Sequence, residues 1–251
     1  MTPPARSIFD VIYDSPWHHP GLCWAATPLV LGLLWRARPR AGATPAAGTL
    51  WRLALLAQLL IVLDALATGS WSPIPEGTAA STAAGVVFVI LGDLRYFVLL
   101  ERFSLPGGAG GAARVLGRAL GLSLLIPVLF ELLTVVLPTV FAEPRRKFLG
   151  YEVLFLGLLL GLRFGLLPRR LAAGAPGAGP GDGGVRRWLL QLTTFEMVQY
   201  GLWVLADVII LAGARGGLLL RLLPNVLYYL VFIPFAYLTA PPSLRRSARA
   251  A

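Results

Sequence analysis

The chain has 251 residues, 57% of them hydrophobic and only 14% charged, with a mean hydropathy of +0.73. A soluble domain carries about 25% charged residues, so a water-soluble globule is excluded and a multi-pass membrane protein is expected. The net charge of +10 comes from arginines that flank apolar runs, with Lys147 the sole lysine; that is the positive-inside pattern of a membrane protein and argues against a nucleic-acid partner.

Residues 1–20 are mixed, with Ile8, Phe9, Val11 and Ile12 offering a short apolar face, and predict an extramembrane or interfacial segment. They lack the basic start and apolar stretch of a cleaved signal peptide. A first span is expected over about Gly21–Trp35, with Pro28 inside it and Trp17, Trp24 and Trp35 as interface anchors. A basic loop over 36–52 precedes a second span, about Leu50–Thr68, which holds Gln58 and Asp64. GSWSPIPEGTAAST then reads as irregular backbone. The third span, about Thr82–Phe103, contains GDLRYFVLLERF and is the most charged apolar run; PGGAGGAAR breaks the chain after it.

A fourth span is expected over about Val115–Val140, kinked at Pro127 and Pro138 and carrying Glu131. FAEPRRKF leads to a fifth, about Leu149–Leu167, with Glu152 and Arg163 near its ends. Residues 168–187 are rich in Gly, Ala and Pro and predict a cytoplasmic linker. The sixth span starts near Trp188 and includes TFEMVQYGLWVLADVIILA. There Glu196, Gln199, Tyr200, Trp203 and Asp207 fall at i, i+3, i+4, i+7 and i+11, one polar stripe on a helix. The seventh, about Leu218–Thr239, holds Asn225, Tyr228, Tyr229 and Pro234, and a basic tail occupies 241–251. The fold class is therefore all-α: a polytopic integral membrane protein with about seven transmembrane helices in one bundle over 21–240. Of the 22 basic residues, 14 fall in the connections after the first, third and fifth spans and in the tail, which predicts the N-terminus outside and the C-terminus cytoplasmic.

Ionisable groups inside spans are costly, about 2.5–3.5 kcal/mol each on insertion scales, and mark sites by default. Counted by depth at ~1.5 Å per residue, Glu196, Glu101, Arg95 and Arg163 share the cytoplasmic half and are expected to form structural ion pairs. Asp64, Asp207, Asn225 and Glu131 fall towards the outer half and Asp93 near the middle. No basic residue is expected deep among them, since Arg215 and Arg221 stand at the outer boundary. Carboxylates without a counter-ion must bind a cation, reach water or hold a proton, so this acidic set is the expected binding or proton-coupling site. Gln199, Tyr200, Trp203 and Tyr229 are candidate cavity walls.

GDLRYFVLL in the third span and PNVLYYLVF in the seventh align as Gly92/Pro224, Asp93/Asn225, Tyr96/Tyr228 and Phe97/Tyr229. Internal repeats with central polar sites are common in transporters, and three, one and three spans with LPNVLYY in the last loosely resembles the SWEET-type sugar transporters. The Pro-Gln dipeptide of the wider PQ-loop group is absent from both expected places, so that family is not assigned. A retinal protein would need a lysine in its last span, and there is none. His18 and His19 are the only histidines, and Cys23 the only cysteine, which leaves no recognisable metal site or disulfide. No nucleophile–base pair, phosphate loop or cofactor motif is visible. The expectation is a small plasma-membrane transporter or channel for an unknown polar solute or ion, possessing no cofactor. The alternatives are a receptor, assembly factor or complex subunit with structural buried charges, and, less favoured, an intramembrane lipid-modifying enzyme.

Overall fold

Proline, glycine and short polar side chains set where the helices begin and end. In the computed structural model, which describes residues 7–40, 42–104, 111–173 and 182–245, the regular elements among the described residues are all helical. Helix α1 (Ile8–Tyr13) starts from a capping box: the Ser7 hydroxyl accepts from the Asp10 N–H, and the Asp10 carboxylate accepts from the Ser7 N–H at 3.0 Å. A 3₁₀ turn at Pro16–His18 leads into α2 (Pro20–Arg36). Helix α3 (Pro45–Thr68) begins earlier than the expected Leu50, because Thr44 caps the Ala47 N–H and Pro45 fits the first helical position. Helices α4 (Ala79–Ser104) and α5 (Ala112–Val136) follow. Helix α5 stops short of the expected Val140 because Pro138 disfavours the helical conformation at Leu137.

Two long helices are interrupted by π-helical turns. Helix α6 (Pro144–Gly161) passes through a π turn at Leu162–Leu166 into α7 (Leu167–Ala173). After α8 (Asp182–Leu211), α9 (Gly216–Val226) passes through a second π turn at Leu227–Val231 into α10 (Phe232–Thr239). A proline ring collides with the carbonyl four residues back. For Pro168 and Pro234 that carbonyl belongs to Phe164 and Leu230, each inside a π turn. The wider turn thus lets both helices continue past a residue that would otherwise stop them. Pro168 therefore does not end the fifth span as expected. Of the expected linker 168–187, the first residues are helical to Ala173 and the last from Asp182 onward; 174–181 lie outside the described residues. So do 1–6, 105–110, which fall in the expected PGGAGGAAR break, and 246–251 of the expected tail.

Six helices are long and apolar enough to cross a membrane: Pro45–Thr68, Ala79–Ser104, Ala112–Val136, Pro144–Leu171, Gly183–Leu211 and Gly216–Thr239. Only 22–39% of their most apolar stretches is buried inside the molecule, so most of that surface faces outward, as lipid would require. This is the pattern of a multi-pass membrane protein. The expected first span corresponds to α2, whose 17 residues reach about 26 Å, short of a ~30 Å hydrocarbon core.

Consecutive helices pack side by side from α2 to α6, then α6 on α8 and α8 on α9. Helix α4 also packs on α8, and α2 packs on the Leu227–Val231 turn, which closes the bundle around the α4–α8 pair. Alternating directions bring residues 7–20, 68–79, 136–144 and 211–216 to one end, the N-terminal end, where α1 lies on α9. The opposite end collects the arginine-rich connections and is called the basic end. The interior is aromatic at mid-height, where Tyr200 stacks on Phe155 with centroids 4.1 Å apart and Phe97 lies 5.8 Å from Phe155.

Candidate functional site

Polar side chains that the sequence places inside spans gather in three layers. The first lies towards the N-terminal end, where α8 finishes and α9 begins. Asp207, fully buried, hydrogen-bonds to the Arg221 guanidinium and pairs with Arg145 at 3.2 Å. Arg221 also reaches Glu152 of α6 at 3.2 Å. The expectation that no basic residue enters this acidic set is overturned. Helix α6 begins at Pro144, so Arg145 sits in its first turn facing α8, and Arg221 lies more than a turn inside α9. Both long side chains reach further along the bundle than a depth count at the Cα suggests. The N-terminal segment closes over the cluster: Arg145 lies 5.8 Å from the Tyr13 ring, and Arg215 pairs with Asp10 at 3.3 Å. His18 packs against Tyr13 with ring centroids 4.2 Å apart and the planes tilted by 41°. Its imidazole is pushed down to about 4 by burial, by His19 and by the Arg221 and Arg145 charges, against a smaller opposing effect of Asp14. Asn225 ties the layers together: it donates to the His18 carbonyl at 3.2 Å and accepts from Trp203 Nε1 at 2.9 Å.

Asp64 of α3 stands apart from Asp207. It accepts from Thr68 Oγ1 at 2.7 Å and from Tyr229 Oη at 3.4 Å, and His19 Nε2 lies 3.8 Å away. Glu131 belongs to neither group, being exposed on the outward face of α5.

The second layer is the centre of the bundle. Asp93 of α4 accepts two short hydrogen bonds, from Tyr151 Oη and Tyr200 Oη, each 2.6 Å. Half a turn on, Arg95 lies over the rings of Tyr228 and Phe232, 3.8 Å and 4.5 Å from their centroids. Its Nη1 donates to the Tyr228 carbonyl at 3.1 Å, in the π turn. Its Nε and Nη2 are buried and have no hydrogen-bond partner. Glu196 of α8, also buried, accepts from Gln199 Nε2 at 3.4 Å, while Gln199 Oε1 has no partner. The two sequence echoes meet here: an added Cβ on Gly92 would come within 1.8 Å of Tyr228 Oη. The small residue at 92 is what lets Tyr228 lie against α4.

The third layer is at the basic end. Glu101, fully buried, pairs with Arg170 of α7. Arg163 donates to Thr194 Oγ1 at 3.2 Å. The expected ion pairing among Arg95, Glu101, Arg163 and Glu196 is therefore corrected. Among the described residues Glu101 takes Arg170, while Arg95, Arg163 and Glu196 make no salt bridge. Arg170 falls in the expected linker after Pro168; the π turn carries the helix past that proline and brings Arg170 to α4.

Among the described residues no group of three or more His, Cys, Asp and Glu side chains could hold a metal ion. Neither described cavity is lined by Asp64, Asp93, Glu131, Asp207 or Asn225; both lie at the basic end. The arrangement joins buried acids to tyrosines and arginines; single carboxylate oxygens of Asp207, Glu152 and Glu101 lack a hydrogen-bond partner, and at the centre two guanidinium nitrogens of Arg95 lack one together with Gln199 Oε1. Tyr151 and Arg221 were the contributors hardest to see in the sequence, because each sits near a span boundary. Two sequence signals point to the centre: the depth of Asp93 in its span and the echo that pairs its segment with that of Tyr228. No family description, no curated protein and no solved structure matches the chain.

Proposed function

We propose that this chain is a small transporter that moves a polar solute or ion across the plasma membrane, through a bundle of seven spans including α2, with the N-terminus outside. The observation that carries this reading is the centre around Asp93, Arg95 and Glu196, where a buried guanidinium keeps Nε and Nη2 free and Gln199 keeps a free carbonyl. A buried donor left without a partner costs about 1–3 kcal/mol. A centre that tolerates several in the middle of a membrane bundle is suited to a ligand that fills them in one state of a cycle.

Charge counting supports proton coupling. One guanidinium, Arg95, faces the carboxylates of Asp93 and Glu196, with Asp64 nearby, so acids outnumber the base and the centre reaches neutrality only by taking up protons or cations. Tyr151, Tyr200 and Tyr228 surround it as hydrogen-bonding groups, and Asp64 and Cys23 approach from α3 and α2. In this reading the Asp207–Arg221–Glu152–Arg145 cluster is the outer latch. It sits above the centre and is spanned by the N-terminal segment, so opening to the outside breaks its ion pairs.

A second reading, a receptor or complex subunit in which these charges only fasten helices, is favoured by the pairing of Asp207 with two arginines. One experiment separates the two. Proteoliposomes loaded with a pH-reporting dye are challenged with sugars, amino acids and monovalent cations under an imposed pH gradient. Solute-dependent proton uptake that disappears in Arg95→Gln and Glu196→Gln, while both variants remain folded, supports transport. The same uptake in wild type and variants, or none in either, removes it.

A further inference from the structure

A groove of about 540 Å³ opens on the outside of the bundle at the basic end, between the first π turn, the start of α8 and the second π turn. Its polar lining carries Arg163, Arg186 and Arg187. None of the three has a carboxylate partner among the described residues; Arg163 is held by Thr194 Oγ1 and lies 5.3 Å from the Phe164 ring. Its remaining lining is largely apolar, with Leu190, Phe195 and Val198 of α8, Leu227 of the second π turn and Phe235 of α10. Along α8 the lining runs from Arg186 and Arg187 through Gln191 and Thr194, where Arg163 is held, to Phe195 and Val198. From Arg186 to Val198 the helix climbs about 18 Å, close to the ~15 Å depth of one leaflet's hydrocarbon.

Charge at the membrane surface and an apolar trough one leaflet deep are the two requirements of a single ligand chemistry. We infer that this groove seats an anionic phospholipid, its phosphate against Arg163, Arg186 and Arg187 and an acyl chain lying along Val198 and Leu227. Several features support a lipid over a soluble anion. Val198 and Phe164 are exposed, so the trough opens sideways into the bilayer. Each π turn supplies a lining residue, Arg163 from one and Leu227 from the other, and π turns concentrate at functional sites. Arginine suits the phosphate because its planar fork matches the oxygens. This groove is separate from the central polar site, and the inference stands whether or not the chain transports a solute.

The test uses the full-length protein purified in mild detergent, with bound lipid read by native mass spectrometry. Phosphatidylglycerol and phosphatidylcholine are titrated separately, and inorganic phosphate is offered as a competitor. Wild type is expected to prefer phosphatidylglycerol. The triple variant Arg163→Gln, Arg186→Gln, Arg187→Gln is expected to lose affinity for it about fivefold per charge, on the order of 100-fold in all. Val198→Trp, which fills the trough from an exposed position and alters no charge, is expected to lose it too. Inorganic phosphate is expected not to displace the lipid. Equal binding of phosphatidylglycerol by wild type and the triple variant overturns the inference. So does undiminished binding in Val198→Trp, or displacement of the lipid by inorganic phosphate.

Discussion

Replacing Arg221 by methionine would test whether the ion cluster at the N-terminal end holds the bundle together. Asp207 is fully buried, and Arg221 is one of its two cationic partners; Glu152 has Arg221 alone as a salt-bridge partner among the described residues. Methionine keeps the stem and removes the charge, leaving two buried carboxylates with one arginine, Arg145. Stranding a buried charge costs about 3–5 kcal/mol, whereas exchanging a whole buried cluster for apolar groups is often neutral or stabilising. Arg221→Met is therefore expected to destabilise by about 3–5 kcal/mol, and Arg221→Met with Asp207→Leu and Glu152→Met to recover most of that loss. Arg145→Met is expected to cost about 1 kcal/mol or less, because Arg145 is partly exposed and Asp207 keeps Arg221. Equilibrium unfolding of the purified protein in mixed detergent, followed by tryptophan emission, measures all three. Arg221→Met within about 1 kcal/mol of wild type, or a triple variant as unstable as Arg221→Met, would refute the reasoning.

At the centre, Gly92→Ala would force the Tyr228 ring away from α4, since its Cβ would lie 1.8 Å from Oη and 2.9 Å from Cζ. The expected cost is about 1–3 kcal/mol for overpacking, and Tyr228→Phe should restore part of it by removing the nearest atom; a double variant no more stable than Gly92→Ala would count against this contact. His18 gives a pH dependence. Its folded value is about 4 against an ordinary 6.5, so between those values the unfolded chain binds more protons and stability rises with pH. Melting temperature should thus fall as pH is lowered from 6.5 to 4, and His18→Gln should flatten that slope relative to wild type; an unchanged slope would assign it to other groups.

The membrane class and most of the span positions were legible because hydropathy averages over a whole helix and tolerates local error. Partners were not. Asp207 and Arg221 are 14 residues apart on different helices, and whether their side chains meet depends on how α8 and α9 rotate about their axes, which the apolar surroundings of both leave open. The π turns had no sequence signature beyond a proline two or more residues downstream, yet they place Arg163, Arg170 and the Tyr228 carbonyl. The members of the polar stripe on α8 have different partners: Glu196 takes Gln199 of its own helix, Tyr200 takes Asp93 of α4, Trp203 takes Asn225 of α9, and Asp207 takes Arg145 and Arg221. The PNVLYYLVF echo pointed to the centre because Tyr228 in it lies against Gly92 of the matching segment.

The seat of the N-terminal segment has a consequence for the order of assembly. Asp10 meets Arg215, and the His18 carbonyl meets Asn225, so the contacts of residues 7–19 bridge more than 200 positions of chain. During synthesis those residues are made before any of their partners on α9, and long-range contacts of this kind close late. A nascent chain halted before α9 leaves the emerging segment without its docking helix, and shortening the protein from its C-terminal side is expected to expose its beginning to protease.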